Sequence, residues 1–220
     1  LAHPDYLIAK RRAAHGRDLK GGELGCMLSH RAAYQYILDQ GYEHALLLED
    51  DARLVPETKE VLESIINKGI SYDIVRLLGS PKVMRSKARK ICPLYKDFTL
   101  TRMSTTPGGA HATLISRAGA EKLVKATRKF AFPIDTILGR CWETGVNAYS
   151  IKPAISVPDE ENCTSTIGDA RHDKTIHLSG AQKLTFKLTR PLFKLGEALG
   201  KQKTFACTAK ADLALKRKYG

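Results

Sequence analysis

The spacing of apolar residues separates predicted helices from predicted strands along the chain. Apolar positions recur every three or four residues from Gly21 to about Gln40, which predicts a helix that ends at Gly41. Its apolar stripe comprises Leu24, Met27, Leu28, Tyr34 and Leu38. His30 lies beside that stripe, where a satisfied structural histidine is expected more often than a metal ligand or a base.

Further helices are predicted from the same spacing and from residues that favour helix starts. One spans residues 56–67. Ser116 is placed to cap another over residues 118–129, and Phe132-Pro133-Ile134-Asp135 opens a third that runs through Trp142.

Short apolar runs bounded by turn residues predict the strands. They cover residues 44–48, 72–78 and 108–115, and one or two more strands lie between 146 and 157. Strands that alternate with helices predict an α/β fold in which helices flank a Rossmann-like sheet.

Other stretches have no clear period. Residues 82–107 are basic and mixed, so we expect a long surface loop close to the functional site. Residues 1–20 are polar and basic and predict no strand, and residues 165–168 are typical of a polar turn.

The composition fits a folded chain. With 220 residues, of which 43% are hydrophobic and 27% charged, the chain can bury a full core. We expect a catalytic domain over residues 1–180 and an extension over residues 181–220. No run approaches the eighteen or so apolar residues of a membrane span, and the first residues lack the layout of a signal peptide.

The cysteines are odd in number, widely scattered and without a CxxC motif, so they predict neither a disulfide framework nor a zinc site. They are Cys26, Cys92, Cys141, Cys163 and Cys207. We therefore expect a reducing, cytoplasmic location.

The charge is strongly positive and unevenly distributed. The chain carries a net charge of +13 with a pI near 9.6, which predicts an acidic partner such as nucleic acid, an anionic membrane surface or a phosphorylated substrate. Residues 181–220 contain ten lysines and arginines but only two acids, Glu197 and Asp212.

Within this tail, leucines repeat at helical spacing beside a basic face. The leucines are Leu184, Leu188, Leu192, Leu195 and Leu199, and the basic residues are Lys183, Lys187, Arg190, Lys194 and Lys201. The segment is therefore either a peripheral anchor on the inner membrane or a helix that packs on the domain with one solvated face.

An acidic motif follows the apolar run that ends at Leu48. Glu49, Asp50 and Asp51 come directly after this run, which predicts a buried strand, at the sheet edge where α/β proteins collect ligands. Because side chains alternate along a strand, Glu49 and Asp51 would share one direction and could hold one divalent cation, with Asp50 on the other side. The alternative is a polar turn that carries acids for solubility.

The order of motifs resembles the family 25 glycosyltransferases, which include bacterial lipooligosaccharide galactosyltransferases. The matching residues are Gly22-Glu23-Leu24-Gly25-Cys26, Ser29-His30, Leu48-Glu49-Asp50-Asp51, the glycine-led strand into Ser116 and Gly119-Ala120, and Pro133-Ile134-Asp135. The resemblance covers about residues 11–168 and is more specific in its first half.

The resemblance implies a GT-A type fold, a UDP-sugar donor (commonly UDP-galactose), Mn²⁺ or Mg²⁺, inversion at the anomeric carbon and a lipid-linked oligosaccharide acceptor. It implies metal ligation by Glu49 and Asp51 and donor binding by Asp50, Gly109 and His111. Family members begin with a further strand and helix upstream of the Gly22–Cys26 motif, so we expect this chain to be truncated at its N-terminus.

An inverting transfer needs a base for the acceptor hydroxyl, and Asp135 is the candidate that the resemblance places after Phe132-Pro133. A role in the helix dipole alone remains its alternative. Glu23 and Asp73 are weaker candidates. His172 and His177 could also reach the metal or the diphosphate, although no spacing supports them.

Two other functions remain open from the sequence. A nucleotidyltransferase would use the same metal chemistry. A non-catalytic basic module for nucleic acid or anionic lipid would explain the charge, but three carboxylates at a strand end would not help it bind nucleic acid, so no nucleic-acid partner is expected.

Overall fold

The computed structural model describes residues 3–79, 84–158, 178 and 180–220. The helices are α1 (Ile8–His15), α2 (Gly21–Asp39), α3 (Thr58–Asn67), α4 (Arg117–Thr127), α5 (Ile134–Leu138), α6 (Cys141–Thr144), α7 (Ala181–Cys207) and α8 (Ala209–Tyr219). The strands are β1 (His44–Leu48), β2 (Ala52–Leu54), β3 (Ile74–Arg76), β4 (Ala88–Pro93), β5 (Thr99–Met103), β6 (Ala112–Ser116), β7 (Ala148–Lys152) and β8 (Ser156–Pro158).

A mixed six-stranded sheet forms the centre, in the order β1-β6-β3-β7-β5-β4. Only β3 and β7 pair in parallel, while the other neighbours are antiparallel. β2 and β8 form a separate antiparallel pair. Apolar residues of α2 and α4 cover one face of the six-stranded sheet, and those of α3 and α8 cover the other. The predicted α/β architecture of a central sheet flanked by helices is confirmed, and it is consistent with a Rossmann-like fold.

The strand before the acidic motif exists, but the prediction that it is buried was wrong. β1 lies at the edge of the sheet and pairs with β6. Ala45 and Leu47 pack on the core, whereas Leu46 and Leu48 on the opposite face are 38% and 41% exposed. A run of three leucines does not distinguish an edge strand from a central one.

The prediction of a surface loop over residues 82–107 was also wrong. Within it, β4 and β5 form an antiparallel hairpin that extends the sheet. The charged residues Arg89 and Arg102 interrupt the apolar pattern that would have predicted these strands. Both guanidinium groups bind Asp212 of α8, at 2.6 and 3.0 Å respectively. A partner more than a hundred residues away makes a charged strand position compatible with burial.

Two helices differ from the sequence prediction. α1 lies in residues 1–20, where no strand was predicted and no helix was recognised, and it buries Arg11 and Ala14. The helix predicted to run through Trp142 instead breaks at Gly139 into the short helices α5 and α6.

The basic tail forms α7 and α8, and α7 packs against the body of the protein. Thr189 Oγ1 and Arg190 Nη1 donate hydrogen bonds of 2.8 Å to carbonyl groups at the end of α1. Glu197 accepts a 2.7 Å bond from Arg140, and Phe193 packs on the core. The leucines Leu184, Leu188, Leu192, Leu195 and Leu199 lie on the other side and are 56–69% exposed. Over the part of the chain that is described, no helix is long and apolar enough to cross a bilayer.

Candidate active site

The acidic motif lies in the turn between β1 and β2. The backbone N–H of Glu49 donates to His111 O at 2.8 Å, and that of Ala52 donates to Glu49 O at 3.1 Å. Because Leu48 pairs with Ala112, this turn lies beside the loop that enters β6. The backbone therefore brings the acids together with Gly109 and His111.

Glu49 belongs to a three-residue cluster with α2. His30 Nε2 lies 2.9 Å from Glu49 Oε1, and Cys26 Sγ lies 3.5 Å from the same oxygen. His30 and Cys26 are one helical turn apart, so both reach the strand end from the same face of α2. The hydrogen bond from His30 lowers the pKa of Glu49, which keeps the carboxylate ionised at neutral pH.

His30 is only 5% exposed and lies within the buried face of α2 instead of beside it. Tyr34 OH is 3.2 Å from its other ring nitrogen. The ring is thus held at both nitrogens and fixes the position of Glu49. The structural role of His30 stays a prediction, because the ligand atoms of Cys26, His30 and Glu49 lie within 4.8 Å of one another and could together hold a metal ion.

Asp51 and His111 present polar atoms that their surroundings leave unpaired. Asp51 Oδ1 and His111 Nε2 are buried, and neither has a hydrogen-bond partner among the described residues. Burial lowers the pKa of His111, so its imidazole is neutral and can act as a ligand. A carboxylate oxygen and a neutral imidazole nitrogen are suitable donors for a divalent cation such as Mn²⁺.

The backbone conformation at residue 109, and its closeness to the ring of His111, explain why this position is a glycine. Gly109 has a φ of +84°, and a Cβ there would lie 3.4 Å from His111 Nδ1. A side chain would therefore strain the backbone and crowd the imidazole.

Asp135 lies in the first turn of α5. Thr136 donates two hydrogen bonds to Asp135 Oδ1, from its backbone N–H at 2.5 Å and from its hydroxyl at 3.2 Å. These bonds orient the carboxylate and leave Oδ2 for another partner. Capping and catalysis are both compatible with this geometry, so the assignment of Asp135 as the base stays a prediction.

Most of the predicted site residues line one cavity of about 720 Å³. Glu49, Asp51, Gly109, His111 and Asp135 all line it. The exposed Asp50 does not, and its role in donor binding stays a prediction. Glu23 lines the cavity as well, whereas the buried Asp73 binds Lys122 at 2.5 Å and has a structural role. His172, His177 and the turn over residues 165–168 lie outside the described residues.

Sequence reasoning missed Arg76, which lies beneath the site. It is fully buried in β3 and donates a hydrogen bond from Nη2 to Gly109 O, while its other guanidinium nitrogens have no partner in the described structure. Burial lowers the pKa of Arg76, and the charges of Asp135 and Glu49 oppose that effect. The sequence feature that could have indicated Arg76 is its position as the single cation within the apolar run of residues 72–78.

The cavity also has a basic end that the sequence did not predict. Arg11, His15, Arg17 and Lys20 line it from α1 and the segment that leads into α2. The site therefore combines a carboxylate-rich wall with a cationic one.

Comparison with known proteins identifies the same family that the motifs resemble. The model of glycosyltransferase family 25, described as LPS biosynthesis protein, matches residues 2–138. Procollagen galactosyltransferase 1 of Danio rerio is 30% identical over 56% of this chain and 21% of its own length. Inactive glycosyltransferase 25 family member 3 of Homo sapiens is 25% identical over 81% of this chain and 34% of its own length. The chain thus spans only a fifth to a third of these relatives.

Proposed function

Because the chain belongs to glycosyltransferase family 25, we propose that it transfers a sugar, galactose, from a nucleotide-sugar donor to an acceptor hydroxyl. The observation that carries the proposal is the cavity in which Glu49, Asp51, His111 and Asp135 meet. Relatives named as galactosyltransferases support galactose as the sugar. The family description supports a lipopolysaccharide or lipooligosaccharide core as the acceptor.

The donor set supports dependence on a divalent cation, Mn²⁺ or Mg²⁺. Asp51 Oδ1 and His111 Nε2 would hold the ion together with Glu49, whose Oε1 is already fixed by His30. When bound, such an ion supplies positive charge to the diphosphate that departs from the sugar.

Inversion in a GT-A type site is the mechanism that we propose. A direct displacement at the anomeric carbon needs one base that takes the proton of the acceptor hydroxyl. Asp135 is positioned for this role by Thr136, with Oδ2 directed to no protein donor that the structure describes. The buried Arg76 lies beneath the same wall, close enough to Asp135 for the charge of that carboxylate to act on its guanidinium group.

A panel of nucleotide sugars with Mn²⁺ tests the proposal. With a UDP-hexose as donor, we expect release of free nucleotide and transfer of the sugar to a lipooligosaccharide core acceptor. The rate should be highest with UDP-galactose. A nucleotidyltransferase would instead release pyrophosphate from a nucleoside triphosphate. Relatives named as inactive exist, so absence of turnover with every donor, in protein that is shown to be folded, would contradict catalysis by this chain.

The exposed side of α7 supports attachment to an anionic membrane. We define the leucine face as Leu184, Leu188, Leu192, Leu195 and Leu199. The opposite side of α7 is docked on α1, so the leucine face points away from the protein and the helix could lie in the plane of a bilayer. Each lysine near an anionic surface adds about 1 kcal/mol of attraction. We propose a peripheral position at the inner membrane, near a lipid-linked acceptor.

Replacing Leu188 and Leu195 with glutamine should weaken binding to anionic vesicles about tenfold or more, because each buried leucine contributes about 1.5–3 kcal/mol. Co-sedimentation with anionic and neutral vesicles measures the effect, and a thermal melt should be nearly unchanged. Leu213→Gln, at an exposed leucine of α8, is the matched control. A lower melting temperature with unaltered vesicle binding would show that the leucine face packs against protein.

A further inference from the structure

The basic end of the cavity has no role in the chemistry proposed so far. Arg11, His15, Arg17 and Lys20 line the same cavity as Glu49 and Asp51. The proposed metal site and the proposed base use only the carboxylate-rich wall. Cationic side chains in a substrate cavity are suited to bind an acidic group through charge-assisted hydrogen bonds.

Arg11 is the least compensated of these cations. Its side chain is only 2% exposed, and its Nε has no hydrogen-bond partner within the described part of the chain. The nearest carboxylate oxygen, Glu23 Oε1, is 4.0 Å from Nη2, which is beyond hydrogen-bond distance. Because burial of an incompletely paired charge is unfavourable, an anion that bonds to this guanidinium offsets a cost already present in the fold.

His15 offers a second unpaired atom in the same place. Its Nε2 is buried and has no partner among the residues described, and its ring lies edge-on to Phe132 and Phe193 at 5.6 and 5.7 Å. Burial, and after it the charges of Arg11, Arg190, Lys194 and Arg17, together lower the pKa of His15 to about 3. These four cations therefore act on one small region.

Two acids of the described residues lie near this end, and both already accept bonds. Asp18 is bound by Arg12, with both bonds at 2.8 Å. Glu23 accepts a 2.9 Å bond from the backbone N–H of Lys20 and is the acid nearest to Arg11. The tail adds Arg190, which α1 holds by the carbonyl of Ala14. Among the described residues, cations therefore outnumber acids at this end of the cavity.

We propose that Arg11, His15, Arg17 and Lys20 form a subsite for an acidic group, a phosphate or a carboxylate, that the sugar acceptor carries beside its reactive hydroxyl. This inference rests on the proposed glycosyl transfer. The donor diphosphate is assigned to the metal side, whereas Asp135, the proposed base, is close enough to Arg11 for its charge to act on that guanidinium. An acceptor that offers a hydroxyl to Asp135 therefore has its neighbouring substituents near Arg11.

NMR of the histidine rings in the full chain, without metal, tests the subsite with inorganic phosphate as the probe. Phosphate should shift the ring signals of His15 and raise the pKa of His15, because an anion both accepts a bond from the ring and screens the cations around it. The neutral sugar galactose should leave those signals unchanged. Saturating phosphate with no change at His15 would overturn the proposal.

Variants locate the site of binding. Arg17→Gln, at a half-buried residue, should weaken phosphate binding about tenfold, since charge-assisted bonds are about twice as strong as neutral ones. Arg11→Gln should do the same if it folds. Arg12→Gln is the matched control, because Arg12 is the next residue of α1 and is directed to Asp18. Equal affinity in Arg17→Gln and Arg12→Gln would contradict the assignment.

Competition distinguishes the acceptor from the donor as the source of the anion. UDP without metal should leave the phosphate-shifted His15 signals in place, and its displacement of phosphate would assign the subsite to the donor diphosphate instead. In the active protein, a phosphorylated acceptor should show a lower KM than its neutral counterpart, and Arg17→Gln should remove that difference. Phosphate binding at His15 without turnover of any donor would contradict the proposed transfer alone.

Discussion

Replacement of Asp51 with asparagine should abolish donor binding that depends on Mn²⁺ and leave the fold intact. Asparagine has nearly the shape of aspartate but lacks its charge, and hard cations require anionic oxygen ligands. Asp51 Oδ1 is buried without a partner among the described residues, so the replacement removes no hydrogen bond of that oxygen there. We expect donor affinity to fall by about 100-fold or more, because even residues behind a metal ligand contribute about 10- to 100-fold to metal affinity.

Calorimetry of donor with and without Mn²⁺ measures this loss. Asp97→Asn is the control, since it makes the same replacement at an exposed position between β4 and β5. The circular dichroism spectrum should be unchanged in both variants. If donor and Mn²⁺ bind to Asp51→Asn as they do to the unaltered chain, the acidic motif is not the metal site.

The elements that sequence reasoning predicted well are those that local residues determine. Ser116 was expected to cap a helix, and its Oγ accepts a 3.1 Å bond from Gly119 N at the start of α4. α2 begins and ends where its apolar spacing and Gly41 predicted. Both helices pack on one side of the sheet, so the period of 3.6 is visible in their sequences.

The elements that it missed depend on distant partners. Arg102 in β5 is buried because Asp212, in the last helix, binds it through both carboxylate oxygens. Arg11 in α1 is buried against the cavity wall. A charged residue carries no local sign of burial, so the hairpin of β4 and β5 and the helix α1 could not be distinguished from solvated segments.

The same distinction applies to the site. Glu49 and Asp51 were predictable as a pair because they are two residues apart at a strand end. Cys26 and His30 meet Glu49 only after α2 packs on the sheet. His15 and Arg190 are 175 positions apart and converge because α7 docks on α1. The local sequence therefore predicts the carboxylate-rich wall of the cavity, whereas the cationic wall forms only through tertiary packing.

Replacement of Asp135 with asparagine should lower kcat by about 100-fold or more and leave donor affinity nearly unchanged. A general base contributes about 10²–10⁴-fold to rate, and the amide cannot accept the proton of the acceptor hydroxyl. Asparagine keeps the oxygen that Thr136 binds at 2.5 Å, so the start of α5 should be preserved. A loss in kcat without a loss in donor binding identifies an interaction that is made only in the transition state.

The measurement is a comparison of kcat with the donor dissociation constant for Asp135→Asn and for Asp39→Asn, an exposed aspartate at the end of α2. The pH profile adds a second readout, because the ascending limb of kcat belongs to the base and should disappear with it. If Asp135→Asn instead retains nearly normal kcat but melts at a lower temperature, the carboxylate serves the helix dipole of α5 and the base lies elsewhere in the cavity.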